Sequence, residues 1–298
     1  MNFKNKQVLC IGEVLWDRLP SGAKPGGAPM NVALHLNAIG QDVAIASRIG
    51  DDLPGEELKT FLKKSGMNTE LIQVDKKLPT SEVLVHLDEN NNATYEICEP
   101  VAWDNLELTH SLRNKAQESG VIIYGSLASR NKHSRDTVKR LLDNDAVKLM
   151  DVNFRKPYDT KEVVETLLKK TDIVKLNDEE LVVFARWRNQ QIDDEKSLVK
   201  WLATKYELKM VCVTRGENGA ILYSKDGFCE HPGFKVKTAD SVGAGDAFLA
   251  GLVSSLLENH PQQDALAFAC ATGAFVASKT GATPDYNMDE IDRILKGN

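Results

Sequence analysis

The chain lacks any Cys-x-x-Cys pair. Its five cysteines (Cys10, Cys98, Cys212, Cys229 and Cys270) are scattered. An odd, dispersed set fits reduced thiols and argues against a disulfide frame or a thiolate zinc site. No apolar run approaches a membrane span, and "VLCIG", behind the N-terminal lysines, is too short for a signal-peptide core. Linkers, repeats and low-complexity segments are missing. A basic excess is missing too: 37 Lys and Arg stand against 43 Asp and Glu, a net charge of -6. That balance gives neither nucleic acid nor an anionic membrane surface a foothold as partner. The histidines (His35, His86, His110, His133, His231 and His260) show no metal-ligand spacing. A cytoplasmic protein acting on small molecules is the expectation.

What is present is strand–helix alternation over 298 residues. "QVLCIGEV", "VIIYGS", "AVKLMDV", "DIVKL" and "KMVCVT" read as buried strands of a parallel sheet. Amphipathic stretches such as "HSRDTVKRLLDN" and "TKEVVETLLKK" lie between them. This pattern predicts a layered α/β fold in one domain. Two segments, about 14–26 and 80–98, break it. "LWDRLPSGAKPGG" is strand and turn without a helix, and "SEVLVHL" and "ATYEIC" flank the polar turn "DENNN". Together they predict a small antiparallel flap, or lid, beside the α/β body.

The stretch "TADSVGAGDAFLAGL", residues 238–252, carries the chemistry. Gly243, Ala244 and Gly245 run into Asp246, and from Asp246 onward a buried helix is expected. Small residues before a buried helix leave its first amides open to an anion, above all phosphate. The local alternative is that Asp246 merely complements the helix dipole. A phosphate-binding P-loop needs G-x-x-x-x-G-K-[ST], which is absent, and a dinucleotide fingerprint needs a small residue where Phe248 stands. A carboxylate at the lip of an anion hole suits phosphoryl transfer to a hydroxyl: amides hold the moving phosphate and the acid accepts the proton.

"DSVGAGDAFLAGL" resembles the C-terminal signature of the ribokinase-like (PfkB) carbohydrate kinases, D-[TS]-x-G-A-G-D-x-F. "PGGAPMNVALHLNAIG", residues 25–40, is similar to that family's N-terminal signature. Both stand in the expected order, and the resemblance covers the whole chain. It implies a three-layer ribokinase-like fold with a mostly parallel sheet and a β-flap. It also implies that Asp246 is the catalytic base and that the amides of Gly243, Ala244, Gly245 and Asp246 form the anion hole. ATP and Mg²⁺ follow as cofactors, and a homodimer through the lid is a family habit.

The remaining motifs each have a local reading beside the family one. Pro29 suits a first helical turn and Gly40 a C-terminal cap. The resemblance adds that Gly26, Gly27 and Asn31 line a sugar site, joined by Asp17, otherwise a turn Asp. In "DVNFR", Asn153 suits an Asx-turn and Arg155 a solvated surface; the family places Arg155 near substrate and transferred phosphate. Asn177 and Glu180 in "NDEE" fit a variant capping box. The family assigns Asn177 to the nucleotide and Glu180 to Mg²⁺, acting through water. In "TRGENGA", Asn218-Gly219 signals a hairpin; the resemblance brings Thr214, Gly216 and Gly219 to ATP. Asp240 is either a helix-entry cap or part of a K⁺ site.

"GGAP-x-NVA" is similar to fructokinases, whereas ribokinases and phosphosugar kinases more often carry a Gly-Lys-Gly form. D-fructose phosphorylated on its 6-hydroxyl is the expected reaction. The alternatives are ribose, 2-keto-3-deoxygluconate, a vitamin or nucleoside, and a sugar-sensing protein without catalysis.

Overall fold

The computed structural model describes residues 3–19, 22–87, 93–187 and 194–297. Among them the strands are β1 (Val8–Ile11), β2 (Leu15–Leu19), β3 (Gly22–Gly26), β4 (Val43–Gly50), β5 (Ile72–Asp75), β6 (Ser81–Leu87), β7 (Ala93–Ile97), β8 (Val121–Gly125), β9 (Val147–Asp151), β10 (Ile173–Asn177), β11 (Met210–Thr214), β12 (Ala220–Ser224) and β13 (Gly227–His231). The helices are α1 (Ala28–Ala38), α2 (Leu53–Lys64), α3 (His110–Glu118), α4 (Lys132–Leu141), α5 (Lys161–Leu168), α6 (Asp178–Trp187), α7 (Glu195–Lys205), α8 (Ala244–Leu257), α9 (Gln262–Ala277) and α10 (Met288–Leu295).

The larger sheet runs β13-β12-β11-β10-β9-β8-β1-β4-β5. From β11 to β5 neighbours are parallel; β12 and β13 return antiparallel at one edge. Alternate residues of each strand serve opposite faces. Val8, Cys10, Ile123, Leu149, Ile173 and Cys212 pack under α1, α2, α8 and α9. Leu9, Ile11, Ile122, Met150, Val174 and Val211 pack under the helices α3 to α7. Both faces are covered, which is why these strands read as unbroken apolar runs. All five expected strands take their places in this sheet, and the two expected amphipathic stretches are α4 and α5.

The flap is the sheet β3-β2-β6-β7. Each hairpin is antiparallel, β2 with β3 and β6 with β7. The hairpins join through a parallel pairing, Leu15↔Ser81 to Arg18↔Leu84, which local patterning does not disclose. The turn "DENNN" at 88–92 lies outside the described residues. The cysteines are unpaired. Among the described residues no helix is long and apolar enough to cross a membrane.

Candidate active site

The site forms where the carboxyl ends of β1, β9, β10 and β11 meet the first turns of α1, α6 and α8, the usual ligand crevice of an open parallel sheet. Helix α8 is buried from Ala247 to Leu257 and begins at Ala244, two residues earlier than its apolar run suggests. Gly243 is its N-cap, at φ 78. A Cβ there would also lie 2.3 Å from the carbonyl oxygen of Ala282, so both backbone conformation and close approach call for glycine. The first intrahelical bond runs from Ala247 N to Gly243 O, 2.9 Å. Gly245 and Asp246 therefore have amides with no acceptor in the helix. Ala244 departs from the expected hole, because its amide donates to Ser241 O at 3.3 Å.

Asp246 thus sits on the first turn, at the lip of these amides. One of its oxygens accepts from Asn31 Nδ2 at 2.9 Å. Its residue surface is partly open to the cleft, while protein crowds the carboxyl itself. Burial, reinforced by the charge of Asp151, raises its pKa to about 7; Lys175, the Asn31 hydrogen bond and Arg155 act the other way. A carboxyl poised near neutrality is suited to taking up a proton.

Asn31 is buried on α1, and its Oδ1 has no partner among the described residues. It was expected at a sugar; here it also touches the carboxylate of Asp246. The paired glycines bring Asp17 to the same cleft. A Cβ on Gly26 would fall 2.3 Å from Asp17 Oδ2, and one on Gly27, at φ 115, would fall 2.4 Å from Glu13 O. Burial raises the pKa of Asp17, and Arg155 opposes it. Arg155 is exposed, and its Nη1 donates to Phe154 O at 2.9 Å. Its charge is felt at Asp17, Glu13 and Asp246, so it lies among the carboxylates of both halves of the cleft.

At α6 the capping box forms in full. Glu180 N donates to Asn177 Oδ1 and Asn177 N to Glu180 Oε2, each at 2.8 Å. Glu180 Oε1 accepts from Phe154 N at 2.7 Å, tying the "DVNFR" loop to the helix. Burial and Asp151 raise the Glu180 pKa. Each oxygen keeps a further lone pair, free for a metal ion or for its waters. Among the described residues there is no group of three or more His, Cys, Asp or Glu able to cage a metal.

Thr214 is the register partner of Asn177 at the strand ends. The β11–β12 hairpin expected from Asn218-Gly219 is present. Gly216, at φ 56, faces open space, whereas a Cβ on Gly219 would lie 2.0 Å from His231 O. Close backbone packing is therefore enough to require glycine at 219. Asp240 is not the cap of α8: one oxygen accepts from Val242 N at 3.0 Å and the other from Gly281 N at 3.2 Å. It braces the loop before the helix against the loop that meets Gly243.

Sequence reasoning missed two features. Lys175 is buried in β10 and ion-paired to Asp151 on β9 at 3.0 Å. The signal was available as a lysine inside the apolar strand "DIVKL", two residues before Asn177 and so on its face. Glu13 is also buried, accepts from the amide of Ala28 and keeps Oε2 unpartnered among the described residues. Burial holds its pKa up.

Residues 22–288 match the pfkB family of carbohydrate kinases. Fructokinase-2 of Solanum lycopersicum is 29% identical, with 97% of this chain and 96% of that protein covered. Probable fructokinase-5 of Arabidopsis thaliana is 31% identical, with 93% of each covered. Among solved structures, a fructokinase with bound ATP from Xylella fastidiosa superposes at TM-score 0.83 and 23% identity, over 98% of each chain. A fructokinase double mutant from Vibrio cholerae with fructose, ADP and potassium ion bound superposes at 0.84 and 24% identity, over 99% of this chain and all of that one. The fold is shared throughout, the sequence match spans both signatures, and the chain belongs to the pfkB family of carbohydrate kinases.

Proposed function

We propose that this sugar kinase transfers the γ-phosphoryl group of ATP to the 6-hydroxyl of D-fructose. The observation that carries the reading is Asp246, with a pKa near 7, on the same helical turn as the open amides of Gly245 and Asp246. The hydroxyl oxygen attacks the γ-phosphorus, its proton passes to the Asp246 carboxylate, and the bond from phosphorus to the bridging oxygen breaks, releasing ADP. Amides of the first turn, with that of Gly243, face the charge on the moving phosphoryl oxygens. Arg155 adds a cation from the cleft wall.

Asp17, Gly26, Gly27 and Asn31 receive the sugar. Asn177, Thr214, Gly216 and Gly219 border the nucleotide. Glu180 would hold waters of a bound Mg²⁺, which would neutralise the nucleotide phosphates. Asp240 braces the loop where a K⁺ site would lie. The fructokinase names of the relatives and the "GGAP-x-NVA" form support fructose over ribose. A homodimer through the flap edges is part of the same proposal, read out by sedimentation.

The test is coupled ADP release with fructose, ribose, 2-keto-3-deoxygluconate and a riboside. The highest kcat/KM for fructose is expected. Preference for another acceptor replaces the substrate, and ADP release with none of them overturns the fructose assignment.

A further inference from the structure

Lys175 and Asp151 are register partners on adjacent parallel strands. Both are buried, and Lys175 Nζ stands 3.1 and 3.0 Å from the two oxygens of Asp151. Ile173, Lys175 and Asn177 share the face of β10 turned towards α8. The ammonium reaches the first turn of that helix: a Cβ built on Gly245 would lie 3.3 Å from Nζ. Gly245 thus adjoins the ammonium as well as offering an open amide.

A buried ion pair is a poor stabilising device, because desolvation offsets its attraction. Burial alone would lower the lysine's pKa, but the charges of Asp151, Asp246 and Glu180 outweigh it and hold it up. The groups around Lys175 are Asp151 from β9, Cys212 from β11, Glu180 from α6 and Asp246 from α8. Asp246 in turn is faced by Asn31 from α1 and Arg155 from the loop after β9. The two members act on Asp246 with opposite sign, Asp151 against its ionised form and Lys175 for it.

We propose that Lys175, tethered by Asp151 beneath Gly245, is a positioning residue for Asp246: it places a fixed cation behind the first turn of α8 and keeps the carboxylate ionised and aimed at the acceptor hydroxyl. Lys175 transfers no proton in this scheme. The proposal rests on the reading of Asp246 as the base.

The experiment uses the full chain and two single variants, Lys175→Met and Asp151→Asn. The pH dependence of kcat is measured for each, together with a carboxyl-carbon NMR titration of Asp246 without substrates, assigned by Asp246→Asn. Lys175→Met should move the Asp246 titration and the acidic limb of kcat to higher pH by roughly one unit, about tenfold in activity well below the midpoint. Asp151→Asn should move both to lower pH. Opposite signs separate positioning from loss of a structural ion pair, which would lower thermal stability in both variants without moving the titration. An unshifted titration, or shifts of the same sign, overturns the proposal. Should Lys175→Met fail to fold, Asp151→Asn decides alone: a titration that does not fall overturns it. If the acidic limb survives in Asp246→Asn, the base assignment fails instead, while the NMR titration still reports on the pair.

Discussion

Three helices begin at the rim of this cleft, and their first turns are finished in three ways. Helix α6 closes its own end, with Asn177 and Glu180 satisfying each other's amides. Helix α1 has a glycine N-cap without a side chain and borrows an acceptor from the loop after β1, the carboxyl of Glu13 on the amide of Ala28. Helix α8 also has a glycine N-cap, and no side chain caps it. A glycine N-cap gives up only about a few tenths of a kcal/mol of helix stability relative to a side-chain cap. At α8 the same omission leaves donors for an anion. The lesson is that a polar turn before a helix says little until its acceptors are counted.

The largest effect is expected at the open end. Asp246→Asn should lower kcat by ~10²–10⁴-fold with sugar and nucleotide binding near normal, as steady-state and equilibrium binding measurements would show. An unchanged kcat would reduce Asp246 to a partner of the helix dipole.

The α1 end comes next. Asp17 lies against Gly26 just before that helix, and a sugar hydroxyl left without it loses a partner worth roughly 1–3 kcal/mol. Asp17→Ala should reduce kcat/KM for fructose by about ten- to a hundredfold, leaving ATP affinity without sugar unchanged. Loss of ATP affinity with sugar use intact would assign this end to the nucleotide.

At the closed end the expected loss is in stability. Glutamine is accepted in a capping box, but Glu180 also serves the amide of Phe154. A glutamine has one acceptor oxygen for two amides. Glu180→Gln should therefore cost about 1–3 kcal/mol, visible as a lower midpoint in denaturant. A rise in the Mg²⁺ concentration needed for half-maximal rate would add the metal role; an unchanged requirement would leave the cap as the whole function.

The smallest effect sharpens the electrostatics of the open end. The folded-state pKa of Asp246, about 7, lies above its unfolded value of roughly 3.9. The folded protein then binds more protons, so this group's contribution to stability falls as pH rises between those values. Asp246→Asn should unfold at a higher temperature than the wild type at about pH 8, with the difference shrinking towards about pH 4. Equal midpoints across that range would mean the carboxyl is better solvated than its surroundings suggest.

Much of this was legible in the sequence because parallel strands covered on both faces must be apolar throughout. The start of α8 was misplaced by two residues because Ala244 and Gly245 read as loop, although small residues are allowed in a first turn that packs closely. Gly243, Gly245 and Asp246 were legible as a glycine-rich helix start carrying an acid. The Asp151–Lys175 pair was not, since pairing between β9 and β10 is invisible to local pattern, and a lone lysine in a strand looks like an edge or a snorkelling side chain. Likewise nothing local fixes the seam between the flap hairpins.

That seam bears on how the chain folds. Leu15 pairs with Ser81, so the contact closes a long loop, and loop closure costs entropy before any contact repays it. Each hairpin pairs strands that are neighbours in the chain, but their union spans the intervening α1, β4, α2 and β5. The flap is thus completed by a long-range pairing, whereas each of its hairpins joins neighbours in sequence. Asp17 stands on that seam as the register partner of Val83, so its placement depends on the long-range pairing.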